Sequence, residues 1–330
     1  MIGTVIIGSG EIAHTRHIPN LMRSSLGYLH GVYNRNYQHS KQDSEKFGCK
    51  AYATLEEVWA DEAVDAVIVC VPASAHHEYV IAALEAKKHV LCEKPMAIST
   101  KQAIEMIDAE QRSGKKLMIS YNQRYYQPHL KAKELLDQGA IGTVLNVRSS
   151  IGLPLPLDIN DPDNSNAASE MLSHRIDLLR HFLGVEVEGV FARLTQANEM
   201  GVNRKVDLGD DTAMAIITYQ NGIMASLAAS RLSNNFNDRT TKIFGTKGCM
   251  VLYGQKAPVT LELANGETVY FHLPDVPSQR EVEKTEINEA FFQCIVNNTE
   301  PPIRSKDGLE VVRVVEAIYK SNREERYIYI

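Results

Sequence analysis

Three polar side chains in the middle of the chain have a spacing that suits acid–base chemistry. Glu170, His174 and Asp177 follow one another at intervals of four and three residues, so a helix carries all three on one face. A carboxylate beside an imidazole orients the ring and stabilises its protonated form. Such a histidine can take the proton of a hydroxyl group. The alternative interpretation is a solvated polar helix face without a chemical role.

A lysine follows an apolar run closer to the amino terminus. Residues 88–98 read KHVLCEKPMAI, which predicts a short buried strand that ends before Pro95. Ligands of open α/β sheets bind at the carboxyl ends of the strands, which is where we expect Lys94 to lie. Its ammonium group offers three hydrogen-bond donors and could stabilise negative charge on a substrate oxygen.

A glycine-rich turn near the amino terminus predicts a dinucleotide site. Residues 8–13 read GSGEIA, which matches the pattern G-x-G-x-x-A between a predicted strand and a predicted helix. Gly8 permits the tight turn, and Gly10 has no Cβ atom to keep a pyrophosphate away from the backbone. The amino end of the helix attracts the phosphates, whereas the alternative is an ordinary strand–turn–helix without a ligand. The predicted contacts are Gly8, Ser9, Gly10, Glu11 and Ile12.

The end of the second predicted strand bears on the choice between NAD and NADP. An acidic residue at this place would accept a hydrogen bond from the ribose 2′-hydroxyl group of NAD, but residues 31–36 read GVYNRN. Asn34 can still bind a ribose hydroxyl group. Arg35 could pair with a 2′-phosphate or stack on adenine, and a solvated surface arginine is an equally good interpretation. Both cofactors are candidates, with a slight preference for NADP.

Alternating strands and helices in the first third of the chain position these residues. Apolar runs rich in β-branched residues predict five strands, at residues 2–7, 28–33, 65–71, 88–92 and 116–121. Helical patterns lie between them, and such alternation produces a parallel, doubly wound sheet through right-handed crossovers. We therefore predict an α/β domain over residues 1–122.

The pattern changes after residue 122. Helical patterns cover residues 128–138 and 169–183, and seven later segments resemble strands. Three turn pairs join several of these segments, namely Asn221-Gly222, Lys247-Gly248 and Asn265-Gly266. Such pairs favour β-hairpins. The sequence thus predicts a second, α+β domain over residues 123–330 with a large, mainly antiparallel sheet.

Composition and charge argue against several classes of protein. The chain has 330 residues, 44% of them hydrophobic, and a formal net charge of −6 from 35 basic and 41 acidic residues. A chain without a basic block is a poor partner for duplex nucleic acid. Its five scattered cysteines argue against a disulfide framework and a cysteine-ligated metal site. No apolar run is long enough to span a membrane and no signal peptide is evident, so we expect a cytoplasmic protein without a bound metal.

Together the motifs resemble those of the Gfo/Idh/MocA oxidoreductases, a family named for glucose–fructose oxidoreductase and inositol dehydrogenase. The most specific match is residues 88–97, which resemble the family signature HV-x-x-EKP-x-A. Residues 72–78 are similar to P-x-x-x-H-x-E, residues 122–128 to N-x-R-[FY]-x-x-P, and residues 174–177 to H-x-x-D. The resemblance covers nearly the whole chain.

The resemblance implies a fold, a reaction and a mode of assembly. It implies a Rossmann domain that binds NAD or NADP, followed by a domain whose open, mainly antiparallel sheet mediates homodimers or homotetramers. Members of the family mostly oxidise or reduce a secondary alcohol of a sugar, a sugar derivative or a cyclitol. Lys94 matches the catalytic-site lysine of the family, and His174 matches its general acid/base.

Further residues of the predicted sites follow from the matched motifs and their neighbours. Beside the glycine turn, the predicted cofactor contacts are Asn34, Arg35, Val71, Pro72, His76, Glu93, Lys94 and Asn122. The predicted catalytic residues are Lys94, His174 and Glu170. The predicted substrate contacts are Lys94, Arg124, Tyr125, Asp158, Glu170, His174 and Asp177.

The chain departs from the family pattern around the candidate histidine. Glu170 stands where the family usually has Asp, and Leu172 stands where it usually has Gly. Residues 166–169 read NAAS in place of a glycine-rich helix entry, and Ala73 replaces the usual Asn. These differences concern the substrate pocket more than the cofactor site. Two alternative functions stay open: a glycosidase that holds NAD tightly for a transient oxidation, and a dinucleotide-binding regulator without catalysis.

Overall fold

The computed structural model describes five stretches of the chain, namely residues 1–152, 166–196, 209–231, 238–273 and 287–330. Backbone contacts divide the chain into two compact units. The first unit comprises Met1–Tyr125 and Pro277–Val312, and the second comprises Tyr126–Val276 and Arg313–Ile330. In the described stretches, no helix has the length and apolar character needed to cross a membrane.

The first unit is built on a six-stranded parallel sheet. Its strands are β1 (Ile2–Ile7), β2 (Gly27–Tyr33), β3 (Lys50–Tyr52), β4 (Ala66–Val69), β5 (His89–Glu93) and β6 (Leu117–Ser120). They lie in the order β3-β2-β1-β4-β5-β6, and every neighbouring pair is parallel. β1 and β4 are buried along their whole length, which is why their sequences are continuous apolar runs. The predicted doubly wound sheet is confirmed.

Helices connect these parallel strands. After β1 the chain forms a π-helical segment, Ala13–His17, and then α1 (Ile18–Leu21). The later connections contain α2 (Tyr37–Phe47), α3 (Leu55–Ala60), α4 (Ala73–Glu85) and α5 (Thr100–Ser113). Ser99 begins α5 because its hydroxyl oxygen accepts a hydrogen bond from the Gln102 N–H, the usual arrangement at an N-cap.

The second unit is built on a nine-stranded mixed sheet. Its strands are β7 (Val144–Gly152), β8 (Val187–Thr195), β9 (Thr212–Tyr219), β10 (Met224–Ser230), β11 (Thr241–Gly245), β12 (Gly248–Leu252), β13 (Val259–Leu263), β14 (Thr268–Phe271) and β15 (Ile328–Tyr329). Their order is β14-β13-β12-β11-β7-β10-β9-β8-β15. The three predicted turn pairs form hairpins, and among the described strands of this sheet only β7 and β10 pair in parallel. The prediction of a mainly antiparallel sheet is therefore confirmed.

Helices cover one face of the second sheet. α6 (Gln127–Asp137) packs against β12 and β13, and a π-helical segment, Ala167–Leu172, packs against β9 and β10. This segment continues into α7 (Ser173–Leu183), which ends at Gly184 in the left-handed conformation. On the opposite face Met214 and Ile216 are mostly exposed, since alternate residues of a strand point to opposite faces.

A late stretch of the chain returns to the first unit. Its described part begins with α8 (Ile287–Val296), which packs against β5. The last helix, α9 (Ser305–Glu324), contains the division between the two units at residue 312. The predicted boundary between residues 122 and 123 differs from this division because no local pattern signals that a helix near the end of the chain returns to the first sheet.

Candidate active site

The glycine turn of the first unit leaves open space beside its backbone. Gly8 has a φ of +88°, and a Cβ atom on it would lie 2.9 Å from the carbonyl group of Cys70, so a side chain at this position would clash with the end of β4. By contrast, a Cβ atom on Gly10 would meet no other atom within 4 Å. Gly10 thus has room for a ligand to approach its backbone, which is what the pyrophosphate of a dinucleotide requires. Glu11 is exposed beside this space, and Ile12 is half-buried.

The side chain of Asn34 connects the end of β2 to the glycine turn. Its amide nitrogen donates a hydrogen bond to the Ser9 hydroxyl group over 3.2 Å, and its backbone N–H donates to the Ser40 hydroxyl group over 2.7 Å. The neighbouring Arg35 is exposed. Many NAD-binding sheets carry an acidic residue at the end of the second strand. This chain has the amide of Asn34 and the guanidinium group of Arg35 there instead.

β5 ends at the buried Glu93, and the half-buried Lys94 follows it. Glu93 is 5% exposed and Lys94 is half-buried. Burial raises the pKa of Glu93, but the charge of Arg16 and a hydrogen bond from His17 outweigh it and hold this pKa well below its usual range. Both carboxylate oxygens of Glu93 accept hydrogen bonds from protein donors. These contacts favour a positioning role for Glu93, and its predicted contact with the cofactor stays a prediction.

The imidazole of His76 joins the ends of two strands. Its Nε2 atom lies 2.8 Å from the carbonyl oxygen of Val71, directly after β4, and its Nδ1 atom lies 2.8 Å from the carbonyl oxygen of Pro95. The ring is buried, whereas Pro72 at the start of α4 is exposed. His76 therefore holds the residue that follows Lys94 against the end of β4.

Three predicted contacts near residue 122, namely Asn122, Arg124 and Tyr125, belong to the first unit. Asn122 is buried at the start of a short 3₁₀ helix, Asn122–Tyr125. The buried guanidinium group of Arg124 donates to the carbonyl oxygen of Pro302 over 3.4 Å and lies 3.9 Å from the Asp307 carboxylate. Burial raises the pKa of Asp307, but the charge of Arg124 and hydrogen bonds from Arg304 bring it below its usual value. Arg124 thus has a structural partner, while Tyr125 is half-buried.

The candidate acid–base residues lie on the helical segment of the second unit. His174 and Asp177 belong to α7, where His174 is half-buried and Asp177 is buried. Glu170 is half-buried in the π-helical segment before α7, and its N–H donates to the carbonyl oxygen of Asn166. The sequence predicts one regular α-helix over residues 169–183. In the structure the chain before Ser173 forms wider, π-helical turns. Insertions of this kind are frequent at functional sites.

Asp210 anchors the segment that carries Glu170. Its carboxylate accepts a hydrogen bond from the Ala168 N–H over 2.7 Å and another from the Tyr319 hydroxyl group over 2.9 Å. Its carbonyl oxygen accepts from the Ala167 N–H. Burial raises the pKa of Asp210, and the two hydrogen bonds to its carboxylate oppose the rise. The two alanines that replace the glycines of the family are fully buried here, so they pack where larger side chains would not fit.

A fully buried arginine follows His174, and the sequence analysis did not identify it. Arg175 is 1% exposed, and its Nη2 atom donates to the carbonyl oxygens of Ser150 and Arg239 over 3.4 Å. Burial lowers the pKa of Arg175 to about 10, so it is a cation at neutral pH. Arg175 thereby fixes α7 against β7. The pattern of α7 in the sequence contains no signal that distinguishes this arginine from an exposed one.

The predicted site is therefore distributed over the two units. The cofactor residues and Lys94 belong to the first unit, whereas Glu170, His174 and Asp177 belong to the second. Asp158 lies outside the described residues. Among the residues that the structure describes, no three His, Cys, Asp or Glu side chains form a group that could hold a metal ion.

Two family models match the chain. One describes an oxidoreductase family with an NAD-binding Rossmann fold and matches residues 2–121. The other describes the GFO/IDH/MocA C-terminal domain and matches residues 129–251. The two models correspond to the parallel sheet of the first unit and to much of the second unit.

Individual relatives match over almost the full length of the chain. It is 30% identical to an uncharacterized oxidoreductase of Bacillus subtilis, YrbE, over 97% of this chain and 94% of that protein. It is 29% identical to a myo-inositol 2-dehydrogenase of Thermotoga maritima over 98% of this chain and 97% of that protein. A crystal structure of a probable dehydrogenase from Thermotoga maritima is similar with a TM-score of 0.83 and 27% identity, over 99% and 98% of the two chains. The chain is thus an NAD-binding oxidoreductase and belongs to the Gfo/Idh/MocA family.

Proposed function

We propose that the protein transfers a hydride between a nicotinamide cofactor and a secondary hydroxyl group, or the matching ketone, of a sugar, a sugar derivative or a cyclitol. The observation that carries this proposal lies in the first unit. The open glycine turn follows β1 and Lys94 follows β5, so both lie at the carboxyl edge of the same parallel sheet. This edge is where such sheets bind their ligands. The similarity to a myo-inositol 2-dehydrogenase supports the choice of a polyol.

The residues of this chain supply binding, charge stabilisation and proton transfer. When bound, the nicotinamide accepts or donates the hydride. Lys94 donates a hydrogen bond to the reacting oxygen and stabilises the negative charge that develops on it. His174 takes the hydroxyl proton during oxidation and returns it during reduction. The Glu170 carboxylate orients the imidazole and stabilises its protonated form.

The two units divide the work in this proposal. The first unit binds the cofactor, with the pyrophosphate beside Gly10 and the ribose near Asn34. The second unit contributes His174 and the carboxylates of its helical segment, which contact the substrate. Arg124, Tyr125, Asp158 and Asp177 are proposed as further substrate contacts.

A substrate screen tests this proposal directly. The purified protein is mixed with NAD or NADP and a panel of inositols, sugars, sugar acids and sugar phosphates, and reduced cofactor is followed by its absorbance. We expect turnover with at least one polyol. A protein that retains nicotinamide on purification and cleaves glycosides without net cofactor turnover would be a glycosidase instead. Cofactor binding without turnover of any of these compounds would indicate a regulator.

Cofactor preference depends on Arg35 in our interpretation. We propose that NADP binds slightly more tightly than NAD, because this exposed guanidinium group can pair with a 2′-phosphate. We expect Arg35→Ala to weaken NADP binding by about tenfold, since a lost charge-assisted contact costs about 1.4 kcal/mol, and to leave NAD binding nearly unchanged. Fluorescence titration with both reduced cofactors measures the two dissociation constants. Arg112→Ala, at an exposed arginine in the last turn of α5, is the control, and a clear preference of the wild type for NAD would contradict the proposal.

The exposed face of the second sheet is proposed as the interface of a homodimer or homotetramer. A groove of about 620 Å³ lies on this face, and Phe191, Met214 and Ile216 are exposed in or beside it. Exposed apolar patches of this kind mark protein interfaces. We expect Ile216→Lys to dissociate the oligomer, because burying an unpaired charge is costly. Sedimentation velocity measures the size, with Ile104→Lys on α5 as the control at an exposed isoleucine of the first unit. A wild type that sediments as a monomer would contradict this assembly.

We also propose that the protein works in the cytoplasm. All five cysteines lie in described residues and carry free thiols. Free thiols are typical of a reducing compartment.

A further inference from the structure

The Glu93 carboxylate is the centre of a buried hydrogen-bond network that we call the Glu93 cluster. Its Oε1 atom accepts hydrogen bonds from Arg16 Nη1 over 3.0 Å, His17 Nε2 over 2.9 Å and Ser120 Oγ over 2.8 Å. Its Oε2 atom accepts from the backbone N–H of Lys94 over 3.1 Å. The donors belong to the π-helical segment Ala13–His17, to β6 and to the residue that follows β5. One oxygen is thus fixed by three side chains, and the other holds the backbone of Lys94.

His17 is held by a residue from the far end of the chain. Its Nδ1 atom lies 2.9 Å from Asn288 Oδ1, while the Asn288 amide nitrogen donates to the carbonyl oxygen of His17 over 3.3 Å. That second contact sets the amide orientation, so Oδ1 faces the ring as an acceptor. A carboxylate oxygen faces Nε2 as well. Both ring nitrogens of His17 thus face oxygen acceptors, the arrangement that suits a doubly protonated imidazole. His17 is fully buried, and the Glu93 carboxylate is the anion that its ring faces.

Charges dominate the surroundings of this cluster. Arg16, His17 and the half-buried ammonium group of Lys94 lower the pKa of Glu93 against the effect of burial, so the carboxylate stays ionised. Two neighbouring thiols, Cys70 and Cys92, are also buried. Burial and the negative charge of Glu93 raise the pKa of both thiols, so both stay neutral. The charged and titratable groups of the cluster and its surroundings are Arg16, His17, Cys70, Cys92, Glu93 and Lys94.

We propose that Asn288, His17 and Glu93 form a chain of positioning residues for Lys94. Asn288 keeps His17 in its doubly protonated form, His17 helps to fix Glu93, and Glu93 fixes the backbone and supports the positive charge of Lys94. The inference rests on the proposed function, since it takes Lys94 to be the group that touches the reacting oxygen. It adds His17 and Asn288 as residues that touch neither substrate nor cofactor, and it gives Glu93 a positioning role.

Glu93→Gln separates this role from ordinary packing. The amide oxygen of Gln can serve either the three donors on one side or the Lys94 N–H on the other, so the amide nitrogen faces a donor in both orientations. The ammonium group of Lys94 also loses a neighbouring negative charge. We expect kcat to fall by about 10²-fold.

Asn288 provides a matched pair of variants. Asn288→Leu removes the acceptor for the second ring proton of His17, and we expect kcat to fall by about tenfold, the cost of one net hydrogen bond. Asn288→Asp restores an acceptor, and we expect it to keep wild-type kcat within about twofold. His14→Asn is the control on the same helical segment, because His14 pairs with Asp43 over 2.8 Å and not with the Glu93 cluster.

A measurement without turnover completes the test. In protein labelled with ¹⁵N-histidine, NMR reports how many protons the ring of His17 carries. We expect two at pH 7 in the wild type and in Asn288→Asp, and one in Asn288→Leu. A single ring proton in the wild type would overturn the assignment, and so would a Glu93→Gln variant with nearly wild-type kcat. If no polyol is turned over, the proposed function fails, and the NMR result then supports or overturns the cluster independently. If Glu93→Gln does not fold, the Asn288 pair decides.

Discussion

Replacing Lys94 with alanine is expected to lower kcat by about 10²–10³-fold while the affinity for reduced cofactor stays within about threefold. The ammonium group lies at the carboxyl end of β5 and is half-buried. In the proposed reaction it stabilises charge that exists mainly in the transition state, and the loss of one such donor typically costs this much. The loss should therefore fall on kcat, because an interaction that forms only in the transition state does not contribute to substrate binding.

Steady-state kinetics with the polyol identified by the screen measures this effect, and fluorescence titration measures cofactor binding. Lys101→Ala is a suitable control, since Lys101 is a highly exposed lysine on α5. Lys94→Arg keeps the charge but replaces a compact ammonium group with a planar fork, and we expect it to recover only part of the rate. A Lys94→Ala variant with nearly wild-type kcat would remove Lys94 from the chemistry.

The His174→Ala variant is expected to lose about 10²–10⁴-fold in kcat, the range that a general acid–base group supplies. His174 is half-buried on α7, which Arg175 holds against β7, and Asp210 anchors the π-helical segment before this helix. Removing the imidazole leaves the hydroxyl proton of the substrate without the base that accepts it. We therefore also expect the acid limb of the kcat profile to flatten, because the group that loses activity on protonation is gone.

Two further variants make the role of His174 specific. His174→Gln keeps a hydrogen-bonding side chain without a titratable group, so we expect it to be nearly as slow as His174→Ala. His181→Ala lies two turns later on the same helix and should keep wild-type kcat within about twofold. Added imidazole should restore part of the activity of His174→Ala. If the acid limb persists unchanged in His174→Ala, another group performs the proton transfer.

Local patterns were sufficient to predict the framework of the protein. All residues of β1 and β4 are buried, on both faces of the sheet. Continuous apolar runs of this kind are typical of a parallel sheet that is covered by helices on both sides. Gly222 and Gly266 adopt φ values of +83° and +89°, so the hairpins form where the sequence has a glycine that tolerates this conformation. The turn at Gly8, which has a φ of +88°, was recognisable for the same reason.

Several features escaped the sequence analysis because no local pattern encodes them. β3 has three residues, too few for a periodic signal. β7 and β10 are parallel although the strands around them form hairpins, because register between distant strands depends on the whole sheet. The π-helical entry to α7 reflects the anchoring of Ala167 and Ala168 by Asp210, a contact across more than forty positions.

The residue types and their spacing were enough to indicate a dinucleotide turn, a lysine at a strand end and a histidine on a helix, because each depends on a short stretch of backbone. The environment of these residues depends on parts of the chain that are far apart in sequence. Asn288 reaches His17 across 271 positions, and Arg16 reaches Glu93 across 77. Burial, charge compensation and protonation arise from such contacts, so only the folded chain shows that Glu93 is an ionised carboxylate fixed beside Lys94.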